Sequence, residues 1–338
     1  MIDWLKLRVP INVAGQIPGD TVMLISPDGE LKWSKVRAVE VRGSYDANLH
    51  VSACPVTGLL VIDGNPAKFF QGHNVFGSDD IHGLAHALVR NVINFLELEV
   101  TSEFRELLDL DQIEVARVDL TEMYSTGSLL LARAAVRAIG ELGTMKHRGR
   151  ALMKEGTVYF GKNSRRSALK VYPKGDELQE HKLPDALPMS EEVYAFAADK
   201  LRFEVVLRTM ELKDLGLNML SAWKPETGVT LHREYVGRVN LPENIELPPA
   251  TLEGLSPRLQ LAYSAWLRGD DLRVTLPRKT FYRYRKALLE HGVDLLALRP
   301  KEPSSNVFPL RRVIELRPAG VPEWAKGTPL YFEPRRTA

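Results

Sequence analysis

One cysteine, Cys54, stands in a chain of 338 residues, which excludes an internal disulfide and points to a reducing compartment. No Cys/His cluster has the spacing of a zinc site. Long hydrophobic runs are missing too. MIDWLKLRVP at the start carries an early acid and no apolar core, and the best apolar run, SLLLARAAVRAI, is broken by arginines. Neither a signal peptide nor a membrane span is expected, and the cytoplasm is the expected location. Low-complexity tracts, internal repeats and nucleotide-cofactor motifs are absent as well. What is present, 44% hydrophobic and 26% charged residues, suits an ordinary globular protein, and the length suggests roughly two domains.

The formal net charge of +2 hides an asymmetry. From 251 to 338 there are 16 Lys+Arg against 9 Asp+Glu, whereas the first 250 residues carry 29 against 34. A polyanion partner for the C-terminal part is the expected reason. The border falls in LPENIELPPATLEGLSP, residues 241–257, where four prolines interrupt every periodic pattern. The expected organisation is therefore a domain over 1–240, a linker over 241–257 and a basic domain with its tail over 258–338.

Strand signals in the first part are DWLKLRVPI, DTVMLISP, ELKWSKVRAVEV, NLHVSA, GLLVIDG, IEVARVDLT, GTVYFG, SALKVYPK and LRFEVVLR, several of them separated by Gly, Pro or Asp turns. SDDIHGLAHALVRNVINFLELE predicts a helix with Ser78 as N-cap and Ile81, Leu84, Ala85, Leu88 and Val92 on one face. Further helices are predicted over about 127–141, ending near Gly143, and around 190–200. Runs of strands with interposed helices imply an α+β domain, a sheet with helices on one face.

Alternation along a strand sends every second side chain to one face. Lys170, Tyr172 and Lys174 are thereby grouped opposite Leu169 and Val171. In the same way Arg117, Asp119 and Thr121 share a face, as do Arg202, Glu204 and Arg208. If these three fronts belong to one sheet, the set suits phosphoryl transfer to a tyrosine. A phenol with a pKa near ~10 is a weak nucleophile and needs a cation or metal beside it. Lys170 and Lys174 are candidates for that role. Asp119 and Glu204 are candidates to hold a hard divalent ion such as Mg²⁺ or Mn²⁺. Arg165 and Arg166, just upstream, are candidates to clamp a DNA backbone. Each pattern also has an ordinary structural reading: an amphipathic surface tyrosine, surface ion pairs, a solvated loop.

Seven stretches resemble, in order, the filamentous-phage gene II replication initiators. They are MIDWLKLRVP, NPAKFFQGHNVFG (65–77), RVDLT, TVYFGKNSRRSALKVYPKGDELQ, LRFEVVLR, and LPRKTFYRYRKALLEHGV followed by NVFPLRRVI, so the resemblance runs from residue 1 to about 313. It implies a mainly antiparallel α+β nickase domain of a degenerate HUH-like kind. It also implies a metal-dependent endonuclease and strand transferase that nicks one strand of the double-stranded phage origin through a 5′-phosphotyrosine, starts rolling-circle replication and later rejoins the displaced strand. The resemblance makes Tyr172 the nucleophile and Asp119 and Glu204 metal ligands. It implies host helicase and polymerase as partners, the bacterial host cytoplasm as the setting, and no membrane. Many rolling-circle nickases hold their metal with a His-hydrophobe-His strand, and no His-x-His occurs here, so His73 in QGHN is a candidate third ligand beside its reading as a turn residue. His82 and His86, one helical turn apart, read as surface residues. A plasmid or conjugative relaxase and a non-enzymatic origin-binding regulator are the alternatives.

In the C-terminal block SPRLQLAYSAWLRG predicts a helix with Leu259, Ala262 and Trp266 on its stripe. In LPRKTFYRYRKALLEHG, Phe281, Tyr284 and Leu288 fall on one side, and Arg278, Lys279, Tyr282, Arg283 and Lys286 on the other. Two helices with a short connection, the second basic, imply a helix-turn-helix-like DNA-binding domain, with a solvated basic face as the plainer reading.

Overall fold

The computed structural model describes residues 1–13, 15–17, 21–54, 57–240, 245–246, 255–268, 270–289, 295–296, 307–308 and 318–334. The chain divides into two compact units, Met1–Pro242 with Arg312–Ala338, and Glu243–Arg311. Most of the linker expected over 241–257 lies outside the described residues.

In the first unit the strands are β1 (Ile2–Asn12), the side hairpin β2 (Thr21–Ile25) and β3 (Leu31–Val36), β4 (Val39–Arg42), β5 (Asn48–Ala53), β6 (Leu59–Gly64), β7 (Glu114–Ser125), β8 (Thr144–Met145), β9 (Gly149–Arg150), β10 (Leu152–Lys154), β11 (Thr157–Phe160), β12 (Ser167–Pro173) and β13 (Lys200–Arg208). Nine of them form one sheet in the order β10-β11-β12-β13-β7-β1-β6-β5-β4, and every pairing in it is antiparallel. The α+β class is thus the one its runs of strands and helices imply, and the large antiparallel sheet the one the resemblance implies. Leu5, Leu7, Val118, Leu120, Leu169, Val171, Phe203 and Val205 form the buried back of this sheet. Helices α2 (Ile81–Phe95), α4 (Leu129–Leu142) and α8 (Thr227–Gly237) pack on its strands, with α1 (Pro66–Gln71), α3 (Ser102–Asp109), α5 (Lys174–Glu180), α6 (Ser190–Ala197) and α7 (Thr209–Asp214) completing the unit.

Local chemistry sets the helix ends. Asp80, not Ser78, caps α2: its carboxylate accepts from the Gly83 amide at 3.0 Å, while the Ser78 hydroxyl accepts from the Asp80 amide at 3.1 Å, one step earlier in the turn. Ser128 caps α4, and the helix ends before Gly143, as the sequence implies.

The last described segment, 318–334, corrects the expected 258–338 domain. It returns to the first unit, where the Ala319 amide donates to the Met123 carbonyl at 2.7 Å, the Phe332 amide donates to Gln71 Oε1 at 2.9 Å, and Phe332 stacks on Phe70 at 4.1 Å between ring centroids. Ala325 and Leu330 are wholly buried in a cluster with Phe76, Leu178 and Val193. Burying Leu330 contributes about 1.5–3 kcal/mol.

The second unit carries α9 (Pro257–Arg268), α10 (Leu272–Thr275) and α11 (Arg278–Leu289). Ala262, Tyr263, Trp266, Leu272, Phe281 and Leu288 make its core, with Leu259 and Tyr284 packed against them. Arg278, Lys279, Tyr282, Arg283 and Lys286 are exposed, as the two-sided pattern of α11 implies. Among the described residues no helix is long and apolar enough to cross a membrane.

Candidate active site

The three charged fronts do lie side by side. β13 runs between β12 and β7, so Lys170 faces Glu204, Tyr172 faces Arg202, and Glu204 faces Thr121, the residue two on from Asp119. Trp4 of β1 faces Asp119, and an open cavity of about 580 Å³ is lined by Trp4, Tyr172, Asp119, Glu204, Lys170 and Arg117 among others.

Tyr172 is 8% exposed, Glu204 4% and Asp119 1%. The tyrosine hydroxyl donates to Glu204 Oε2 at 3.3 Å, and Lys170 forms an ion pair with the other oxygen of the same carboxylate. Arg117 grips Asp119 with two hydrogen bonds, Nε to Oδ1 at 2.7 Å and Nη2 to Oδ2 at 2.6 Å, and stacks over Trp4 at 5.2 Å. Burial pushes Asp119 up to about 7; the Arg117 hydrogen bonds oppose that, and the charge of Glu204 adds to it. Burial likewise raises the Tyr172 phenol well above its ordinary value, against the pull of the Arg202 cation.

Beneath the tyrosine is an ionic floor that strand alternation does not disclose. Arg202, expected on the open front, is wholly buried. Its Nη1 donates to the Asn74 carbonyl, and its Nη2 is 3.0 Å from Asp3 Oδ1, close as an ion pair though not aligned as a hydrogen bond. The register of β1 shifts between Ile2 and Trp4, at Asp3; a bulge of this kind re-aims a side chain. Asp3 Oδ1 also accepts from Asn65 and Asn74, each at 2.9 Å. Burial would raise its pKa, but Arg202, Lys174 and these amides outweigh that and hold it below the usual carboxylate range. Asp3 and Asn74 are site residues that sequence reasoning missed; the one signal was the NPAKFFQGHNVFG stretch, which carries Asn65 and Asn74.

Lys174 differs from expectation. The strand ends at Pro173, so Lys174 opens α5 instead of extending the charged face. It is wholly buried and donates to Asn74 Oδ1 at 2.9 Å and Glu177 Oε2 at 2.5 Å. Burial, with Arg202 nearby, lowers its pKa to about 8. Of the two lysines flanking Tyr172, only Lys170 is on the cavity wall. Arg166 also sits elsewhere: Glu211 (2.7 Å) and Asp214 hold its guanidinium. Arg165 is exposed.

The histidines are occupied. His73 is buried, with Nε2 2.9 Å from the Leu330 carbonyl and Nδ1 accepting from the Val75 amide at 3.3 Å. Neither ring nitrogen is left for a metal. His82 and His86, expected as surface residues, are half-buried and clasp Asp111 at 2.8 and 2.6 Å, because that carboxylate sits beside their face of α2. Among the described residues no three His, Cys, Asp or Glu side chains gather as a metal site.

Family models match both parts of the chain, residues 1–226 to the N-terminal family of the phage gene II replication-associated protein and residues 257–331 to its C-terminal family. The chain belongs to the gene II replication-associated protein family. The replication-associated protein of Enterobacteria phage I2-2 is 34% identical over 337 residues, 95% of each chain. The replication-associated protein of Enterobacteria phage M13 is 25% identical over 311 residues, 75% of this chain and 74% of its own. Among solved structures, a rolling circle replication initiator protein from Geobacillus stearothermophilus aligns over 71% of this chain and 85% of its own with 11% identity and a TM-score of 0.33, a likeness too loose to argue from. The N-terminal family match includes Tyr172, Asp119, Glu204 and the floor beneath them; the C-terminal match includes α9 to α11.

Proposed function

We propose that this member of the gene II family initiates rolling-circle replication by nicking one strand of a double-stranded phage origin through Tyr172. The observation that carries the reading is the Tyr172 hydroxyl on the wall of an open cavity, hydrogen-bonded to Glu204 at 3.3 Å and neighboured by buried or half-buried cations. A phenol raised by burial stays protonated in the free protein, so it needs a proton acceptor and countercharge when it attacks. Glu204 is the acceptor. The Arg202 cation acts on the phenol oxygen that becomes negative, and Lys170 is paired with the other oxygen of Glu204.

The step balances as follows. Tyr172 Oη bonds to the scissile phosphorus while the bond from phosphorus to the 3′ oxygen breaks. The phenolic proton passes to Glu204, and the 3′ oxygen takes a proton from solvent. A free 3′-hydroxyl is left for the host polymerase, with the host helicase opening the duplex, and a 5′-phosphotyrosine conserves the bond. The reverse attack by a 3′-hydroxyl rejoins the displaced strand and frees the tyrosine.

Asp119 and Glu204 fit a hard divalent ion held by one or two carboxylates, a DNA phosphate and water. Asp119, buried and raised to about 7, is a group whose ionised form a nearby cation favours. When bound, Mg²⁺ or Mn²⁺ polarises the phosphate and screens its charge. Duplex binding is assigned to the exposed Arg278, Lys279, Arg283 and Lys286 of α11, and Arg165 remains a backbone contact.

A suicide oligonucleotide carrying the origin nick site tests the reading. The full chain is expected to form a covalent adduct that maps to Tyr172, and Tyr172→Phe is expected to abolish it while duplex binding persists. An adduct of undiminished yield from the phenylalanine variant sinks the assignment. Glu204→Ala is expected to lower adduct yield far more than duplex affinity.

A further inference from the structure

A second cleft, about 550 Å³, opens at the other end of β12, beside Ser167. At ~3.3 Å per strand residue, Ser167 and Tyr172 are about 17 Å apart. The cleft is lined by Lys146, His147, Arg148, Arg166 and Arg238 against one carboxylate, Glu211. The first three form the tip of the β8–β9 hairpin, where Met145 pairs with Gly149, the Arg148 amide donates to the Met145 carbonyl at 2.9 Å, and His147 takes a left-handed conformation with φ 64°. That carboxylate is already engaged, and outside the lining Asp214 pairs with Arg166 and Glu234 with Arg238. Glu211 accepts from Arg166 at 2.7 Å and from the Tyr235 hydroxyl, and lies 4.0 Å from Arg238. Arg148 donates to the Ser167 hydroxyl at 3.1 Å. Lys146 and His147 are exposed.

Arg208 lines neither cavity, but its neighbours belong to both. It ends β13 opposite Arg117, which lines the tyrosine cavity, and it is close enough to Arg117 and to Arg148 in the cleft for both charges to act on it. Its Nη1 is buried and has no hydrogen-bond partner. A buried guanidinium nitrogen without an acceptor is costly unless a ligand supplies one. The cations at this end of the sheet outnumber their carboxylates, and an anion with many oxygens is what such a surface recognises.

We infer that the hairpin cleft is a second phosphodiester-binding site, holding the backbone of a DNA strand that passes from the tyrosine cavity around Arg208 at the end of β13. The strand's path rests on the nicking reading above; phosphate binding by the cleft does not. At the ~3.4 Å rise of a strand within a duplex the distance corresponds to about five nucleotides, and an extended single strand covers it with fewer.

The test uses the full chain and two fluorescent probes, a mixed-sequence single strand of about 20 nucleotides and its duplex, with affinity followed against salt concentration. Lys146→Ala, a change at an exposed turn, is expected to reduce the slope of log affinity against log salt by about 0.7 on the single strand, or about 0.9 on the duplex. Adding Arg148→Ala is expected to double the reduction, and Lys146→Arg to retain the wild-type slope. A reduction on the single strand alone identifies the displaced strand as the occupant, and one on the duplex identifies the flanking double helix; either supports the site. Unchanged slopes on both probes overturn it. So does an equal reduction from Lys326→Ala, an exposed lysine paired with Glu323 in the tail. A chain that forms the tyrosine adduct normally while these slopes stay fixed refutes the cleft alone, and a chain that forms no adduct refutes the nicking reading alone.

Discussion

Tyr172, Asp119 and Glu204 show what a single residue's surroundings do to its chemistry. Burial and the charge of Glu204 raise Asp119, while Arg117 and Lys170 oppose that rise, and Lys170 also pairs with Glu204. These front residues were legible because strand alternation is a local rule. Arg202 and Asp3 were not, because their burial depends on a register shift in β1 and on Asn74, which is remote from both in sequence. His73 supplies a pH prediction. Burial lowers its pKa to about 4, with the Leu330 carbonyl pulling the other way. Below its unfolded pKa of about 6.5 the unfolded chain takes up a proton that the folded chain refuses, so folded-state stability falls as pH drops from about 6.5 towards 4. Urea midpoints measured across that range are expected to fall with acidity, and His73→Gln is expected to flatten the dependence. An unaltered acid slope in the variant assigns the acid sensitivity to other groups.

At the scale of elements, α11 is the clearest case of sequence deciding structure. Phe281 and Leu288 are buried while Arg278, Lys279, Arg283 and Lys286 are exposed, because a period of about 3.6 residues separates them onto two faces. If that outer face meets phosphates, Lys279→Ala and Lys286→Ala are each expected to reduce the salt slope of duplex binding by about 1. Isotherms at several salt concentrations measure this, and an unchanged slope removes that lysine from the interface. Helix α2 shows the opposite limit. Ser78 and Asp80 both have cap chemistry, and only the backbone geometry of the turn chose Asp80. The basic hairpin of β8 and β9 leaves no strand signal in MKHRGR because its strands are two residues each, too short for any alternation to register.

Across the whole molecule, the first unit is discontinuous in sequence. Residues 243–311 form the second unit between the sheet and the tail that completes it. The tail bears on the site through a chain of contacts: Leu330 and Phe332 hold His73 and Gln71, and the adjoining Asn74 holds Asp3, Lys174 and Arg202. Leu330→Ala is expected to cost about 2–5 kcal/mol, as for other wholly buried leucines. Urea unfolding followed by tryptophan fluorescence checks it, since Trp324 packs on the same cluster; a loss below about 0.5 kcal/mol, the range of a surface change, refutes a structural role for the tail.

The sequence by itself determined the α+β class, the position of most strands, the two faces of α11 and which charged side chains share a face of each strand. Each of these follows from short-range periodicity, which is written within about a dozen residues. That β12, β13 and β7 lie side by side, bringing Tyr172 to Asp119 and Glu204, was decided by the strand order of the sheet. Tertiary structure alone decided which charges became a buried floor, that Lys174 leaves the cavity wall, that Arg166 turns to Glu211, and that the tail returns across a whole inserted unit. Those outcomes depend on which distant groups share a low-dielectric interior, where a charge is tolerated only beside its partner, and no local period encodes that pairing.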